Sequence, residues 1–238
     1  ELWPLLRGKL MMRRLALERP TFDLIRDAEG RANWSLSRKS TAGGPLRLPP
    51  IRDFTIRDGR LKFTDAGRRL TLAATLNAAE QAGGSDRGFT LTGQGAIKAA
   101  PFRLEVRGGP LLNLQPDKPY RFDADVRAGS TQILAKGAIL KPFDFGQMEA
   151  QVSASGADLA DLYNLTGVPF PNSPPYRLSA KLARQQKLWR AGGIGGRIGD
   201  SDMAGELSVD ASGARPFLKA DLRSRSLDFD DLAALFGG

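Results

Sequence analysis

Apolar and charged residues alternate strictly along the segment Tyr120-Arg-Phe-Asp-Ala-Asp-Val-Arg127. Because successive side chains of a β-strand point to opposite faces, this period of two predicts a strand with one apolar face and one charged face. The same alternation recurs in several other segments, at Phe102, Leu104 and Val106, at Leu70, Leu72, Ala74 and Leu76, and at Leu218, Ala220 and Leu222. One wetted face and one apolar face favour a single curved antiparallel sheet or a barrel.

Turn residues separate these alternating segments. The 238 residues include 27 glycines and 15 prolines, which fall between the apolar runs and predict many short strands. One turn is predicted in particular at Arg57-Asp-Gly-Arg60. An Asp-Gly pair between alternating apolar residues is typical of a hairpin, here joining a strand with Phe54 and Ile56 to one with Leu61 and Phe63.

Two short segments have helical rather than strand spacing. Residues 157–165 and 227–236 carry apolar side chains three to four positions apart, which predicts two short amphipathic α-helices. The two segments also match each other at an offset of 70 residues, with Asp158 aligned to Asp228. A strand-rich unit precedes each of them, and stacked copies of such a unit predict an elongated sheet.

Three regions are predicted along the chain. Residues 1–87 form a basic N-terminal β segment, residues 88–156 a middle β repeat, and residues 157–238 a C-terminal β repeat with the two helices. The sequence begins with Glu1 rather than Met and contains no apolar run of the roughly 18 residues that a membrane-spanning helix needs. We expect it to be a piece of a longer protein.

The composition argues against an enzyme. The chain has no His and no Cys, which excludes His- and Cys-dependent nucleophiles and the common zinc and haem ligands. The glycine-rich segment 192–199 fits neither common phosphate-binding pattern, and Asp200 and Asp202 are too few for a calcium loop. Turn formation and backbone capping explain these residues better. No catalytic residue, metal or cofactor is predicted.

Positive charge is concentrated in the first third of the chain. The net charge of the whole chain is +9. Residues 1–70 hold 16 basic and 8 acidic side chains, whereas the remaining residues hold 19 basic and 18 acidic ones. An anionic membrane surface attracts such a cluster, and the candidate membrane-facing residues are Arg7, Lys9, Arg13 and Arg14. A merely solvated strand face is the alternative. Nucleic acid is not an expected partner, because the nearby Phe54 and Phe63 alternate as core residues do.

Several motifs along the whole chain resemble the AsmA family of envelope proteins. The residues that carry the resemblance are Asp27–Trp34 after Leu24–Arg26, Leu48–Ile51, Ile56–Leu61, Gly108–Leu111, Pro119-Tyr120, Asp158–Leu162, Pro169–Tyr176, Gly199–Asp202 and Leu222–Arg225. The resemblance implies an elongated, twisted β-sheet groove in the periplasm, anchored in the Gram-negative inner membrane by an N-terminal helix. It also implies phospholipid delivery to the outer membrane and a role in outer-membrane assembly.

Two hypotheses for function follow. In the first, an apolar groove shields lipid acyl chains during transport between the two membranes, with phospholipid as the partner. Its candidate lining is Phe102, Leu104, Val106, Tyr120, Phe122, Val126, Leu178, Leu182, Leu218 and Leu222. These residues form an ordinary dry core if the face is covered by the protein itself. In the second hypothesis, the chain is a scaffolding module whose open sheet edges pair with an outer-membrane assembly partner.

Overall fold

The computed structural model describes residues 12–34, 51–81, 88–112, 118–140, 146–166, 168, 170–213 and 215–228. These residues are mainly in β-strands, as predicted. The strands are β1 (Met12–Glu18), β2 (Thr21–Arg26), β3 (Ile51–Asp65), β4 (Leu70–Gln81), β5 (Phe89–Ile97), β6 (Ala100–Gly108), β7 (Tyr120–Ala128), β8 (Thr131–Ile139), β9 (Gln147–Gly156), β10 (Tyr176–Gln185), β11 (Leu188–Ile198), β12 (Ser201–Asp210) and β13 (Phe217–Arg223). A 3-10 turn, Leu159–Asp161, leads into the helix α1 (Leu162–Thr166).

The chain divides into two compact units. The first comprises Glu1–Ala99 with Arg107–Gln115, and the second comprises Ala100–Val106 with Pro116–Gly238. In the first unit the strand order is β1-β3-β4-β5, with β2 also paired to β3, and in the second it is β6 to β13 in chain order. Taken over all 13 strands the pairing is mostly antiparallel, which confirms the predicted fold class, although β1 and β2 both run parallel to β3. No helix among the described residues is long and apolar enough to cross a membrane.

The predicted hairpin at Arg57–Arg60 is wrong, because these residues lie inside the single strand β3. The pairing of β3 with β4 passes from Ile56 opposite Ala78 to Gly59 opposite Leu76, so β3 contains one extra residue. Asp58 adopts a φ of 51° there, and its N–H donates to the Asn77 Oδ1 at 2.9 Å. This β-bulge shifts the alternation by one residue, and it keeps the apolar residues on either side on one face of the strand.

The core of the first unit is built around the part of β3 that precedes the bulge. Phe54 and Ile56 are buried against Leu15 and Leu17 of β1 and against Leu76 of β4. Further along the same face, Phe22 and Leu24 of β2 are in register with Leu61 and Phe63 of β3. The alternation predicted from the sequence is therefore correct, whereas the turn inferred from its change of phase is not.

Two carboxylates of the first unit are buried. Asp65 is 2% exposed and lies 3.5 Å from the Arg26 guanidinium, which stacks on Trp34. Glu80 is 4% exposed and accepts hydrogen bonds from the backbone N–H groups of Leu111 and Leu112. Buried charges are costly unless they are paired or hydrogen-bonded, and both of these groups have partners.

The helix predicted at 157–165 is confirmed, with helical residues at 159–166. Asp158 precedes the 3-10 turn and accepts a hydrogen bond from the Ala160 N–H at 2.9 Å, as an N-capping residue does. Its carboxylate also accepts from the Ser173 N–H. Of the second predicted helix, at 227–236, only Leu227 and Asp228 are described and they are not helical; the remainder lies outside the described residues.

Two similar hydrogen bonds occur near the ends of the repeated units, at positions 71 residues apart rather than the predicted 70. The Ser130 hydroxyl, just before β8, accepts from the Ala157 N–H, which follows β9, at 3.2 Å. The Ser201 hydroxyl, at the start of β12, accepts from the Asp228 N–H, which follows β13, at 2.9 Å. In both cases, a serine near the start of one strand therefore holds a residue that follows the next strand.

Asp202 organises the turn after β13. Its carboxylate accepts from the backbone N–H groups of Ser226 and Arg225, at 2.7 and 2.8 Å, and from the Ser224 hydroxyl at 3.0 Å. Led by the Ser226 and Arg225 N–H groups, these bonds lower the pKa of Asp202 below its ordinary value of 3.8. A depressed pKa means that the folded state favours the ionised carboxylate.

Acidification should release this turn. Because the folded pKa of Asp202 is lowered, its stabilisation is present above the ordinary value of 3.8 and is lost as the pH falls through the folded value. We expect the amide signals of Arg225 and Ser226 in nuclear magnetic resonance spectra to shift, and their hydrogen exchange to accelerate, over that acidic range. In Asp202→Asn these signals should not titrate. A transition that persists in this variant would contradict the assignment.

A second prediction concerns the glycines of the second unit. Gly137 of β8 lies so close to β9 that an added Cβ would overlap the Glu149 carbonyl oxygen and lie 2.7 Å from the Ala150 Cα. Gly137→Ala should therefore destabilise the fold by about 2 kcal/mol, the usual scale of overpacking, measured by thermal or urea unfolding. Gly192→Ala is the matched control, because nothing lies within 4 Å of its added Cβ. Equal losses in both variants would argue against the close strand contact.

Candidate functional site

One face of the second unit collects most of the residues predicted to line a groove. Residues directly opposite each other in an antiparallel pair lie on the same face, so the strand registers define that face. The registers extend it from β7 across β8, β9, β10, β11 and β12 to β13. We call it the apolar face, and it includes seven of the predicted residues: Tyr120, Phe122, Val126, Leu178, Leu182, Leu218 and Leu222.

The three other predicted lining residues lie on β6. Phe102, Leu104 and Val106 share one face of that strand, because they are two residues apart. Phe102 is buried, and Leu104 and Val106 are half-buried. The sequence therefore identifies them correctly as the apolar side of their strand.

The apolar face is graded in side-chain size. One margin, the rim row, carries large side chains and consists of Tyr120, Ile139, Met148, Arg184, Trp189, Val209 and Leu218. Next to it lie two cross-strand rows in which eight of fourteen residues are Ala or Gly. We call them the central strip, which consists of Phe122, Gly137, Ala150, Leu182, Ala191, Leu207, Ala220, Ala124, Ala135, Val152, Ala180, Ile194, Gly205 and Leu222.

The helical segment covers the margin opposite the rim row. Leu159 and Leu162 form a buried cluster with Tyr176 and Ile198, and the strand residues packed against this cluster are Ile133, Ala154, Leu178 and Met203. All six of these strand residues lie outside the central strip. The helix therefore covers one side of the apolar face and leaves the strip beside it.

Burial follows the same division. The rim row includes the buried Tyr120, Ile139 and Val209, whereas Ala150 is the only buried residue among the fourteen of the central strip. At the β13 end, Leu218 and Leu222 are 40% and 48% exposed. The central strip is thus an apolar surface that the described part of the protein leaves partly open to solvent.

The opposite face of the same strands is charged and hydrated. Asp125 of β7 pairs with Arg127 at 3.0 Å and accepts two hydrogen bonds from the Gln132 side chain. The hydrogen bond from Arg127 is the main reason that the pKa of Asp125 is lowered. Lys136, Lys181 and other exposed polar residues continue this face. The sheet of the second unit therefore has one wetted and one apolar side, as the alternation predicts.

The predicted membrane-facing residues are only partly described. Arg7 and Lys9 lie outside the described residues. Arg13 and Arg14 are both exposed on β1, but strand alternation directs them to opposite faces. Arg14 is in register with Asp53 of β3, so an acidic residue lies next to it. The structure does not bring Arg13 and Arg14 together on one surface.

The glycine-rich segment has a structural role. Residues 192–196 form an irregular part of β11, where the register with β10 and β12 shifts by one residue. Gly193 has a φ of 58°, a conformation that glycine adopts without strain. Asp202, weighed above as a calcium ligand, is occupied by the turn after β13.

Sequence reasoning missed two parts of the site. The alanines and glycines of β8 and β9 on the central strip have no strong apolar signal, and only the strand registers place them beside Phe122 and Leu182. Arg184 was also missed, although it is the only charged residue on the apolar face from β7 to β13. Its position two residues after the candidate lining residue Leu182 is a signal that could have found it.

Comparison with known proteins gives one informative match. The chain is similar to the AsmA family protein YhjG of Escherichia coli (strain K12), with 29% identity over 251 aligned positions. The match covers 94% of this chain and 37% of the relative, so the chain spans little more than a third of that protein. No protein-family profile and no solved structure matches the chain.

The similarity extends over nearly the whole sequence, as the quoted motifs do, and the fold is the predicted mainly β, mostly antiparallel sheet. Sequence motifs, fold and relative therefore agree, and together they support membership of the AsmA family.

Proposed function

We propose that the apolar face of the second unit shields lipid acyl chains, and that the chain thereby takes part in moving phospholipid between the inner and outer membranes. The observation that supports this most directly is the central strip. It is a continuous band of apolar and small residues across seven strands, and it is partly exposed along its length. A sheet with one apolar face needs a covering layer, and the one described helix covers only a margin.

The dimensions of the strip suit an acyl chain. Seven strands spaced about 4.8 Å apart span about 29 Å across the sheet. One leaflet of a bilayer has an apolar thickness of about 15 Å, half of the roughly 30 Å hydrocarbon core. A single extended tail can therefore lie within the strip, in contact with successive strands.

The energetics also favour lipid as the covering group. Each buried CH₂ contributes about 0.8 kcal/mol, so a tail of 16 carbons gains on the order of 12 kcal/mol by leaving water. Small residues along the strip leave room for such a tail beside the larger rim-row side chains. The polar headgroup can remain in solvent at the margin of the sheet.

Membership of the AsmA family supports an envelope setting for this activity. The relative's name gives only the family, so the location and partners proposed for this chain come from the family resemblance. We place the chain in the periplasm, held at the inner membrane by a segment of the full-length protein, with an anionic membrane surface as a second partner. The activity is non-enzymatic.

A scaffolding role is the second candidate, and β13 is the observation that favours it. All seven residues of this strand are exposed, and among the described strands it pairs only with β12. A strand with a free edge is able to accept another strand through backbone hydrogen bonds, including one from an outer-membrane assembly partner. This role does not require the central strip to be accessible.

The two candidates can be separated by placing a carboxylate on the central strip. We expect the purified wild-type chain to carry phospholipid, detected by native mass spectrometry and lipid extraction. Leu182→Asp should lower the bound lipid at least about tenfold, because an unpaired charge is costly next to an acyl chain. The matched control is Ala183→Asp, which places the same group on the opposite face of β10 and should retain the lipid.

A second pair of variants distinguishes loss of lipid binding from loss of folding. Ala180→Trp fills the strip with an apolar ring, and Ser179→Trp places the same ring on the hydrated face. If the strip is open, Ala180→Trp should stay folded, as judged by circular dichroism, and lose its lipid. A wild-type chain that is lipid-free and monodisperse, or an Ala180→Trp variant that unfolds while Ser179→Trp does not, would instead indicate a self-covered core.

A further inference from the structure

A single cation interrupts the apolar face. Arg184 lies on β10 in register with Met148 of β9 and Trp189 of β11, so its side chain shares the face with them. It is half-buried and belongs to the rim row, directly beside the central-strip residue Leu182. From β7 to β13, every other residue that the registers place on this face is uncharged.

The guanidinium is held in place but not neutralised. Its Cζ lies 4.7 Å from the centroid of the Trp189 ring, and its Nε donates to the Gln186 carbonyl oxygen at 2.8 Å. Within the described residues it forms no ion pair with a carboxylate, and its terminal NH₂ groups make no hydrogen bond. A guanidinium has five N–H donors, so four of them remain available on a fixed side chain.

Arg26 of the first unit shows the contrasting arrangement. Its Cζ lies 5.4 Å from the centroid of the Trp34 ring, so the same type of stack is present. However, the Asp65 carboxylate lies 3.5 Å from its guanidinium and is almost fully buried. Stacking on tryptophan thus accompanies an internal ion pair in the first unit, while the equivalent charge in the second unit is paired with no carboxylate of the described ranges.

The chemistry of this position fits a phosphate group. Two terminal N–H groups of an arginine form paired, charge-assisted hydrogen bonds with phosphate oxygens. Arginine and tryptophan side chains also suit a boundary between apolar and polar surroundings, because each combines an apolar body with a polar end. Arg184 lies at such a boundary, because the apolar central strip is on one side of it and solvent at the strand end is on the other.

We infer that Arg184 binds the phosphate of a lipid headgroup and so fixes the bound lipid, with its acyl chain lying along the central strip. This inference rests on the proposed function, and it adds which residue recognises the phosphate and where the headgroup lies relative to the central strip. Trp189 positions the guanidinium and contacts the first carbons of the chain.

The test compares two lipids that differ only in the phosphate. Dioleoyl phosphatidic acid and dioleoylglycerol, each with brominated acyl chains, are titrated into the 238-residue chain, and quenching of tryptophan fluorescence gives the two affinities. The wild-type chain should prefer phosphatidic acid. Arg184→Gln should lower the affinity for phosphatidic acid about tenfold, the scale of a hydrogen bond to a charged group, and leave that for dioleoylglycerol unchanged.

Arg190→Gln is the matched control. Arg190 is exposed on the neighbouring strand β11, in register with Ala183 and Ser208 on the hydrated face. Arg190→Gln removes the same charge within a few residues of Arg184, so this variant should leave the ratio of the two affinities at the wild-type value. Arg184→Lys keeps the charge without the planar fork, and it should restore part of the preference.

Three results would overturn the inference, each in a different way. An unchanged preference in Arg184→Gln would show that the guanidinium only stacks on Trp189. Competition by glycerol 3-phosphate at the concentration that suffices for phosphatidic acid would show that the site takes a soluble phosphate instead of a lipid. A wild-type chain that binds neither lipid would remove the proposed function itself and this inference with it.

Discussion

The structure depends on one constraint, which is that an open sheet with one hydrated and one apolar face cannot leave the apolar face in water. Hydrogen bonding between strands satisfies the backbone but does nothing for that face. In the first unit, Phe54 and Ile56, which precede the bulge at Asp58, form a buried cluster with Ile51 of the same strand and Ala78 of β4. In the second unit, the only described helix covers one margin, and the central strip remains partly exposed.

Short polar side chains and glycines hold the strands of the second unit in place. Turns and strand ends are fixed by short polar side chains, such as Asp158 before the helical segment and Asp202 after β13. Glycines allow close strand contacts where a Cβ would overlap the neighbouring backbone, as at Gly137. These residues carry no chemistry of their own, but they hold the strands in the registers that make the apolar face continuous.

The proposed function rests on an apolar surface that the described residues leave partly uncovered, and not on a reactive group. A strip of small residues beside a row of large ones provides a surface with room for an acyl chain. Arg184, the one charged residue that the described strands β7 to β13 place on the apolar face, stacks on Trp189 at the position where the proposal puts the polar end of the lipid. The corresponding pair in the first unit, Arg26 on Trp34, is neutralised by Asp65 and serves the fold alone.

The sequence by itself determined the mainly β class, the antiparallel strands, the helical segment near 159–166 and the apolar side of each strand, because a period of two is a local property of the chain. It also carried the family motifs. Only the tertiary structure decided that Asp58 and Gly59 form a bulge, since a change of phase fits a turn or a bulge equally well. Tertiary structure also assembled the central strip and set Arg184 at its margin. These features depend on registers between strands, and alanine and glycine give no sequence signal for the face on which they lie.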